Sequence, residues 1–513
     1  MKNLAKITTI GLLALFAATA VADVKLPAVI GDHMVMQRGA KATIWGWADP
    51  GEKIAVGLSW QSFPVKPTTA GKDGKWKVSI NTIGAPGPHE ITVVGKNTVK
   101  VKDIMFGEVW VCSGQSNMQW SMKASAEPAK NIALAKYPHI RLFTVARTVA
   151  DKPQDDCKGS WAACSPESVS NFSAVAYYFG KHLHDEMDVP IGLISTNWGG
   201  TLAEAWTRRE ILENDRELKP IIDRFEENKA NLPEALKKYE ERLETWNATV
   251  AKAKAEGKKP PRRGPRKPSA RNQNSPSSLY NGMIAPLIPF AIKGAIWYQG
   301  ESNVSRAYQY RKLFPAMITN WRKDWGQGDF PFYYVQIAPF KYGGGRESQE
   351  LREAQLMSLS LKNTGMAVTS DIATVSNIHP PNKLDVGRRL ALWALAKDYG
   401  KKDLVHSGPI YQSMKIEGSK IRLTFDSVGS GLKTLDGNEA SHLTVAGADQ
   451  KFVEAKGRIE GNTLIVSSDA VKSPVAVRYG WSNTAEPNLA NKEGLPASTF
   501  RTDDWPGVSF EAR

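Results

Sequence analysis

Residues 107–120 read GEVWVCSGQSNMQW, and this stretch decides the fold that we expect. The apolar run Ile104–Val111 has the composition of a buried strand, and the polar segment Ser113–Asn117 follows it abruptly. Glycine, serine and asparagine favour turns for ordinary backbone reasons, so a plain turn is one interpretation. The other is a nucleophile, Ser116, on a tight strand-to-helix turn beside free backbone N–H groups. This stretch alone leaves both interpretations open.

Apolar runs that alternate with helical patterns continue through the middle of the chain. Strand-like runs lie at 191–194, 294–298, 332–337 and 366–369, and helical patterns at 174–187 and 384–399. The alternation predicts an α/β domain over residues 104–405, a parallel sheet with helices on both faces. Ligands of such sheets bind outside the carboxyl ends of the strands, so the residues after each strand are the candidates for function.

The regions on either side have the texture of β structure. Residues 23–103 contain short alternating runs separated by Gly, Pro and Asp turns, which predicts a small N-terminal β-sandwich. Residues 406–513 show the same texture and predict a C-terminal β-rich domain.

A charged insertion, residues 208–276, interrupts the α/β pattern. It predicts a helical hairpin with Pro233 opening the second helix, whose narrow apolar seam is Leu236, Tyr239, Leu243, Trp246 and Val250. The segment 255–271 that follows carries seven Lys or Arg against one Glu, and we interpret it as a solvated linker. A lid over the site, a dimer contact and an inert insertion remain alternatives for the hairpin.

The first 22 residues have the pattern of a secretory signal peptide. Lys2 and Lys6 precede an apolar run, and Ala20-Val21-Ala22 supplies a small-residue cleavage site. The run is shorter than the about 20 apolar residues of a spanning helix, and no later run is long enough either. We therefore expect a periplasmic or secreted protein that begins near Asp23 and has no membrane span.

Composition and charge narrow the classes of partner. The chain is 42% hydrophobic with 16 tryptophans and a net charge of +15, as expected for a basic globular protein. Such a surface can steer acidic polysaccharides or anionic sugars towards the protein. Nucleic acid is not expected as a partner, because no matching motif accompanies the charge.

Three cysteines are too few for a fold held by disulfides. Cys157 and Cys164 are close in sequence, and an oxidising compartment would allow a local bridge between them, which we expect. Cys112 would remain a buried thiol.

Four polar clusters follow predicted strand ends: Gly114–Asn117, Thr196–Thr201, Gln299–Asn303 and Asn377–Asn382. Together they offer a hydroxyl, backbone and amide donors, and a base, His379, which is the set that acyl transfer requires. Taken singly, each has an ordinary explanation as a tight turn, a loop amide or a structural histidine. The histidines and carboxylates show no convincing metal-ligand spacing.

Four segments resemble the sialate O-acetylesterase family of SGNH-type esterases. They are GEVWVCSGQSNMQW, VPIGLISTNWGGTLAEAWT, YNGMIAPLIPFAIKGAIWYQGESN and IHPPNKLDVGRRLALWALA. The resemblance extends over residues 23–505 and implies an SGNH-like fold and removal of O-acetyl groups from carbohydrate. Sialic acid esters and acetylated xylan or similar hemicellulose are both open as substrates. No metal or organic cofactor is implied.

The resemblance also implies roles for individual residues. Ser116 matches the nucleophile and His379 the general base. The backbone N–H groups of Ser116 and of Gly200 (or Gly199) match the donors of the oxyanion hole. The side chains of Gln299 and Asn303 would complete that hole.

One departure concerns the residue that orients the histidine. Many relatives carry an aspartate two or three residues before it, where this chain has Asn377 and Ser376. Asp371 is a candidate substitute, and a backbone carbonyl is another. We therefore expect a Ser–His dyad, and expect Asn377→Asp to raise the esterase rate or leave it unchanged.

Two other functions stay open beside the esterase. The missing aspartate would suit a glycan-binding protein that keeps the esterase fold without activity. The hairpin would suit an interaction protein that self-associates as a homodimer. Trp198, Trp297 and Trp481 are candidates for stacking on a sugar, although core packing is the ordinary role of a tryptophan.

Overall fold

The structure is a computed structural model that describes residues 23–63, 65–345 and 347–512. The predicted signal peptide, residues 1–22, lies outside the described residues. Within the described ranges, no helix combines the length and the apolar character needed to cross a membrane.

The N-terminal region consists of strands joined by turns. They are β1 (Val35–Gln37), β2 (Lys41–Trp47), β3 (Lys53–Leu58), β4 (Thr68–Thr69), β5 (Lys75–Asn81), β6 (His89–Val94) and β7 (Thr98–Gly114). Alternate residues of β5 are buried, as expected for a strand with one face on a core. Strand β7 continues from this region into the middle of the chain, so the predicted boundary between residues 103 and 104 falls inside one strand.

The central sheet confirms the predicted α/β fold. Its further strands are β8 (Tyr137–Thr144), β9 (Trp161–Cys164), β10 (Ile191–Asn197), β11 (Gly294–Tyr298), β12 (Phe332–Val335) and β13 (Thr364–Ala367). The order is β13-β12-β11-β7-β10-β8-β9, and every neighbouring pair is parallel except β8 with β9. After β7 the chain forms β8, β9 and β10 on one side of that strand, and it then crosses to the other side to form β11. The carboxyl end of β7 is therefore the switch point where a doubly wound sheet places its ligand.

Helices cover both faces of this sheet. The α-helices are α1 (Ser116–Gln119), α2 (Pro128–Ala133), α3 (Pro166–Val169), α4 (Ala174–Met187), α5 (Arg209–Glu213), α6 (Lys219–Ala230), α7 (Leu232–Ala255), α8 (Ala307–Trp325), α9 (Ser348–Met357) and α10 (Lys383–Asp398). Helices α4 and α10 pack together in the core on one face, and α8 and α9 in the core on the other. Shorter helical turns of 3-10 or π type lie at Met122–Ala124, Ala203–Trp206, Tyr280–Ile284, Ala285–Leu287, Glu301–Arg306, Ser358–Ser360 and Ser370–Ile372.

The insertion forms the predicted pair of helices, α6 and α7. Pro233 lies in the first turn of α7, where its missing N–H costs no hydrogen bond. The seam residues of α7 are half-buried rather than fully enclosed. The basic linker passes close to this helix, since a Cβ added at Gly264 would lie 3.3 Å from the indole of Trp246.

The C-terminal region is built from antiparallel strands with a core of its own. The strands are β14 (Ile410–Glu417), β15 (Lys420–Asp426), β16 (Leu432–Thr434), β17 (Leu443–Ala446), β18 (Val453–Glu454), β19 (Lys456–Glu460), β20 (Thr463–Ser467), β21 (Ala476–Tyr479), β22 (Leu489–Asn491) and β23 (Phe500–Arg501). It docks on α9 through polar contacts, among them a 2.7 Å ion pair between Arg501 and Glu353.

The expected bridge between Cys157 and Cys164 is wrong, because all three cysteines are free and buried. Cys157 packs into the core on one face of the central sheet and Cys164 into the core on the other. Burial raises the pKa of both thiols to about 12, which makes them poor nucleophiles.

Candidate active site

Ser116 lies on a tight turn between β7 and α1. Gly114, the last residue of β7, has φ +140°, and a Cβ there would lie 2.1 Å from the carbonyl oxygen of Tyr298 on β11. The next residue, Gln115, donates its backbone N–H to that same carbonyl at 2.9 Å. A glycine is therefore required where the chain leaves the sheet, and Ser116 follows as the first residue of α1.

His379 reaches Ser116 from the loop between β13 and α10. Its Nε2 lies 2.8 Å from Ser116 Oγ, although the two residues are 263 positions apart in the sequence. Burial, together with the nearby ammonium of Lys383, lowers the pKa of His379. A neutral imidazole at hydrogen-bond distance from a hydroxyl is the arrangement of a general base with its nucleophile.

The loop and the ring of His379 are held separately. Asn377 Oδ1 accepts the backbone N–H of His379 at 3.0 Å, so this side chain positions the main chain. Trp120 stacks on the imidazole with the ring centroids 4.7 Å apart and the planes 19° from parallel. Within the described ranges, His379 Nδ1 has no hydrogen-bond partner. Sequence reasoning missed Trp120, although it ends the same segment that contains Ser116.

Asp371, the other candidate for orienting the histidine, binds an arginine instead. Its two carboxylate oxygens accept from Arg389 on α10 at 2.6 and 2.5 Å. Both side chains are largely buried, so this ion pair joins the segment after β13 to α10. The structure therefore does not bring Asp371 to the imidazole, and the stacked Trp120 takes the place of a carboxylate beside His379.

A buried polar network, Glu301–Asn117–Lys383, lies directly beside the Ser116–His379 pair. Asn117 Nδ2 donates to Glu301 Oε1 at 2.5 Å and to the carbonyl of Ile378 at 3.0 Å, while Asn117 Oδ1 accepts from Lys383 Nζ at 2.5 Å. Asn117 directly follows Ser116, and its bond to Ile378 therefore ties the helical turn that begins at Ser116 to the residue that precedes His379. Burial lowers the pKa of Lys383 to about 7, against the attraction of Glu301, and burial raises the pKa of Glu301.

Two backbone donors lie free beside Ser116. Among the described residues, neither the N–H of Ser116 nor that of Gly200 has a hydrogen-bond partner, and Gly200 has φ +73°. The N–H of Gly199, by contrast, donates to Gln119 Oε1 at 2.7 Å. Gly199 also approaches Ser116 closely, since a Cβ added there would lie 3.3 Å from Ser116 Cβ.

Gln299 and Asn303 take a different place from the one that the resemblance implied. Gln299 Nε2 donates to the carbonyl of Thr201 at 3.1 Å and to Asn303 Oδ1 at 2.6 Å, which uses both amide hydrogens. Asn303 Nδ2 donates to Glu204 Oε2 at 2.8 Å. Both side chains are buried, and their hydrogen bonds hold the loop after β10. The structure therefore does not place them as oxyanion donors.

Comparison with known proteins identifies the family of this chain. The family model described as carbohydrate esterase, sialic acid-specific acetylesterase matches residues 269–395. The sialate O-acetylesterases of Mus musculus and Homo sapiens are both 30% identical to this chain. The match to the mouse protein covers 88% of this chain and 88% of that protein. The match to the human protein covers 93% of each. The chain belongs to the sialate O-acetylesterase family. A carbohydrate acetylesterase from Xanthomonas citri has the same fold at a TM-score of 0.80, with 35% identity over 94% of this chain and 100% of that one.

As a member of the sialate O-acetylesterase family, the chain is an esterase. Within the part of the chain that the structure describes, no group of His, Cys, Asp or Glu side chains is arranged to hold a metal ion. The site is built instead from a hydroxyl, an imidazole and backbone donors at the carboxyl ends of β7, β10 and β13.

The three tryptophans proposed for sugar stacking lie in different environments. Trp297 is fully buried between Trp206 and Trp321, so it has the ordinary role of core packing and offers no face to a sugar. Trp198 is half-buried in the loop that contains Gly199, with the Arg147 guanidinium 5.8 Å from its ring. Trp481 lies in the C-terminal region, with two arginine guanidiniums 5.5 and 5.4 Å from its ring.

Proposed function

We propose that this esterase removes O-acetyl groups from carbohydrate through an acetyl-serine intermediate, with Ser116 as nucleophile and His379 as base. The observation that supports the proposal most directly is the 2.8 Å contact between Ser116 Oγ and His379 Nε2. The names of the mouse, human and Xanthomonas citri relatives support acetylated sugars as the substrate class. The first 22 residues support export as the route to such glycans.

The reaction begins when His379 Nε2 takes the proton of Ser116 Oγ as the oxygen attacks the acetyl carbonyl carbon. The negative charge that develops on the carbonyl oxygen is stabilised by the N–H groups of Ser116 and Gly200. Collapse of the tetrahedral intermediate breaks the bond to the sugar oxygen, which leaves as the hydroxyl with the proton from His379.

The second half of the reaction hydrolyses acetyl-Ser116. His379 takes a proton from water as the water oxygen attacks the acyl carbon, and the same two N–H groups stabilise the second oxyanion. Acetic acid then leaves as the proton on His379 returns to Ser116 Oγ, and it ionises to acetate in water. The lowered pKa of His379 suits this cycle, because the imidazole must be neutral at the start of each half.

Acetate release from an O-acetylated sialoglycan and from acetylated xylan tests the proposal, with Ser116→Ala measured beside the chain from Asp23 onwards. We expect kcat to fall on the order of 10⁴-fold or more on whichever glycan is cleaved, because the nucleophile is lost. The matched control is Ser121→Ala, since the Ser121 hydroxyl has no hydrogen-bond partner in the described residues. Release that survives in a folded Ser116→Ala protein would overturn the mechanism.

The same measurement decides the alternative of an inactive glycan-binding protein. Binding without any acetate release, from a folded protein, would support that function in place of the esterase mechanism. Self-association through the hairpin is tested separately by light scattering at two concentrations.

A further inference from the structure

A wide cleft separates the N-terminal strands from the amino end of the central sheet. Strands β2 and β5 form one wall, and residues 285–291 and 324–327 line the other. Its volume is about 1180 Å³, which is more than the about 300–1,000 Å³ of sites that bind a single small molecule. This interdomain cleft therefore has room for several units of a chain-like ligand.

The interdomain cleft lies at the opposite edge of the sheet from Ser116. Residues 285–291 precede β11, whereas the carboxyl end of that strand pairs with Gly114, two residues before Ser116. Gln327 belongs to the amino end as well, because its side-chain amide exchanges two hydrogen bonds with the backbone of Ile292, at 2.7 and 3.1 Å. Four steps of about 3.3 Å along β11 place the two ends about 13 Å apart. A ligand in this cleft therefore does not occupy the place of the ester.

Two tryptophans share the strand face that lines the interdomain cleft. Trp45 and Trp47 are two residues apart on β2, so their side chains point to the same face from Cα atoms about 7 Å apart. Trp47 is half-buried, and Trp45 is 8% exposed with its ring packed edge-on against Phe290. Neither indole N–H has a hydrogen-bond partner among the described residues. A buried side chain rarely keeps an unpaired donor, so these N–H groups are left for water or a ligand in the cleft.

The charged groups around the two indoles are balanced. Three lysines and three aspartates line the interdomain cleft: Lys41, Lys75, Lys77, Asp73, Asp155 and Asp324. Lys75 on β5 donates to Asp155 at 2.6 Å, so one cation is paired within the lining itself. The lining also contains three threonine hydroxyls without a hydrogen-bond partner in the described part of the chain, those of Thr43, Thr68 and Thr69. Such a lining does not select for an ionic ligand, and its donors and acceptors suit hydroxyl groups.

Aromatic faces beside polar side chains are suited to a sugar. A pyranose ring has an apolar face of C–H groups that packs against an indole, while the hydroxyl groups at the ring edge donate and accept hydrogen bonds. An extended β-1,4-linked chain places such rings in a row, which matches two indoles lying side by side on one strand.

We propose that the interdomain cleft binds a neutral, β-1,4-linked segment of a glycan chain, with Trp45 and Trp47 as the surface on which its rings stack. The site is separate from the Ser116–His379 pair and requires no ester. Binding there goes beyond the proposed function and does not depend on it.

Binding is measured by calorimetry on the Ser116→Ala protein from Asp23 onwards, with xylohexaose and cellohexaose as probes. We expect at least one of them to bind, and expect Trp47→Ala in the same background to weaken that binding by about 10-fold or more, because a stacking face is lost. Trp505→Ala is the matched control, since Trp505 is also half-buried but lies in the C-terminal region outside the cleft. No binding of either hexasaccharide, or binding that Trp47→Ala leaves unchanged, would overturn the proposal.

A second variant keeps the test decisive if Trp47→Ala fails to fold. Thr69→Arg introduces a long side chain from an exposed position on β4, so it fills part of the cleft without removing a packed group. We expect the same loss of affinity for the hexasaccharide. An affinity that Thr69→Arg does not change would show that the ligand lies elsewhere.

Hydrolysis of 4-nitrophenyl acetate separates this proposal from the proposed function. Thr69→Arg in the active protein should leave kcat/KM on this small ester unchanged, because the cleft lies at the other edge of the sheet. If Ser116-dependent hydrolysis is present and neither hexasaccharide binds, the interdomain cleft alone fails as a glycan site. If a hexasaccharide binds in a Trp47-dependent way and no ester is cleaved, the proposed function fails and the glycan site stands.

Discussion

The two sides of Ser116 are built in opposite ways. On one side, the network of Asn117, Glu301 and Lys383 is buried and connected by bonds of 2.5 Å at both ends. On the other, a cavity of about 550 Å³ between α6 and the basic linker is lined by cations, of which Arg224, Arg266 and Lys267 have no ion-pair partner among the described residues. The first side joins its polar groups to one another, apart from Glu301 Oε2, whereas the second holds cations that lack carboxylate partners.

This difference separates the parts of the site that should act on every substrate from those that should select one. Groups on strand ends and a packed helix hold their geometry to the precision that proton transfer requires. A long insertion on the surface can vary without disturbing that geometry. Changes in the network should therefore alter the rate on all esters, whereas changes in the insertion should leave the rate on a small neutral ester unchanged.

The largest effect in the network is expected from Lys383→Met. The substitution removes the Nζ group that donates to the buried Asn117 Oδ1 and attracts Glu301, so the free energy of unfolding should fall by about 1–3 kcal/mol in a urea titration. It also removes a cation that lowers the pKa of His379. The base must be neutral to act, and a raised pKa moves the acidic limb of kcat/KM to higher pH on every ester.

Two further variants make that result specific. Glu301→Gln combined with Lys383→Met should recover part of the stability, because the buried carboxyl group is replaced by an amide that can still accept from Asn117, while the acidic limb stays displaced. Lys397→Met removes an exposed charge from the same helix and should change neither property. A Lys383→Met protein with an unchanged pH profile would show that this lysine does not influence the base.

The network was also the part of the site that the sequence could least predict. Ser116 and His379 could be assigned to one site because each follows a strand, and the carboxyl ends of parallel strands meet at one edge of the sheet. The contacts of Asn117 span 184 and 266 positions in the sequence, and no local pattern signals them. They depend on how β7, β11 and α10 come together in the fold.

The places where the structure departs from expectation have a related cause. Gln299 and Asn303 follow β11 as amides that could support an oxyanion, but the sequence does not show that Glu204 and the Thr201 carbonyl compete for their hydrogens. Cys157 and Cys164 are near in sequence, yet they belong to cores on opposite faces of the sheet. In each case the residue type was informative, and the direction of the side chain depended on tertiary packing.

A smaller effect is expected from Trp120, which stacks on the imidazole of His379. Trp120→Ala should lower kcat by about 2- to 10-fold on neutral and acidic esters alike, since a stacked pair of rings is worth about 0.5–1.5 kcal/mol. Trp120→Phe keeps an aromatic face against the ring and should retain most of the rate. Steady-state kinetics on 4-nitrophenyl acetate distinguish the two variants. A rise in KM at unchanged kcat would instead assign Trp120 to substrate binding.

The smallest effect is expected from Asn377→Asp, which restores the aspartate of many relatives. Asn377 Oδ1 accepts the backbone N–H of His379, and a carboxylate oxygen can accept the same bond. The loop should therefore keep its position, and kcat should stay unchanged or rise if the new charge reaches the free Nδ1 of His379. Such a rise would come with a higher pKa of His379, so the acidic limb of kcat/KM would move to higher pH.

Asn377→Ala is the contrast, because it removes the acceptor and should lower kcat through a less ordered loop. A large fall with Asn377→Asp would mean that the amide hydrogens of Asn377, and not its oxygen alone, take part in binding the substrate.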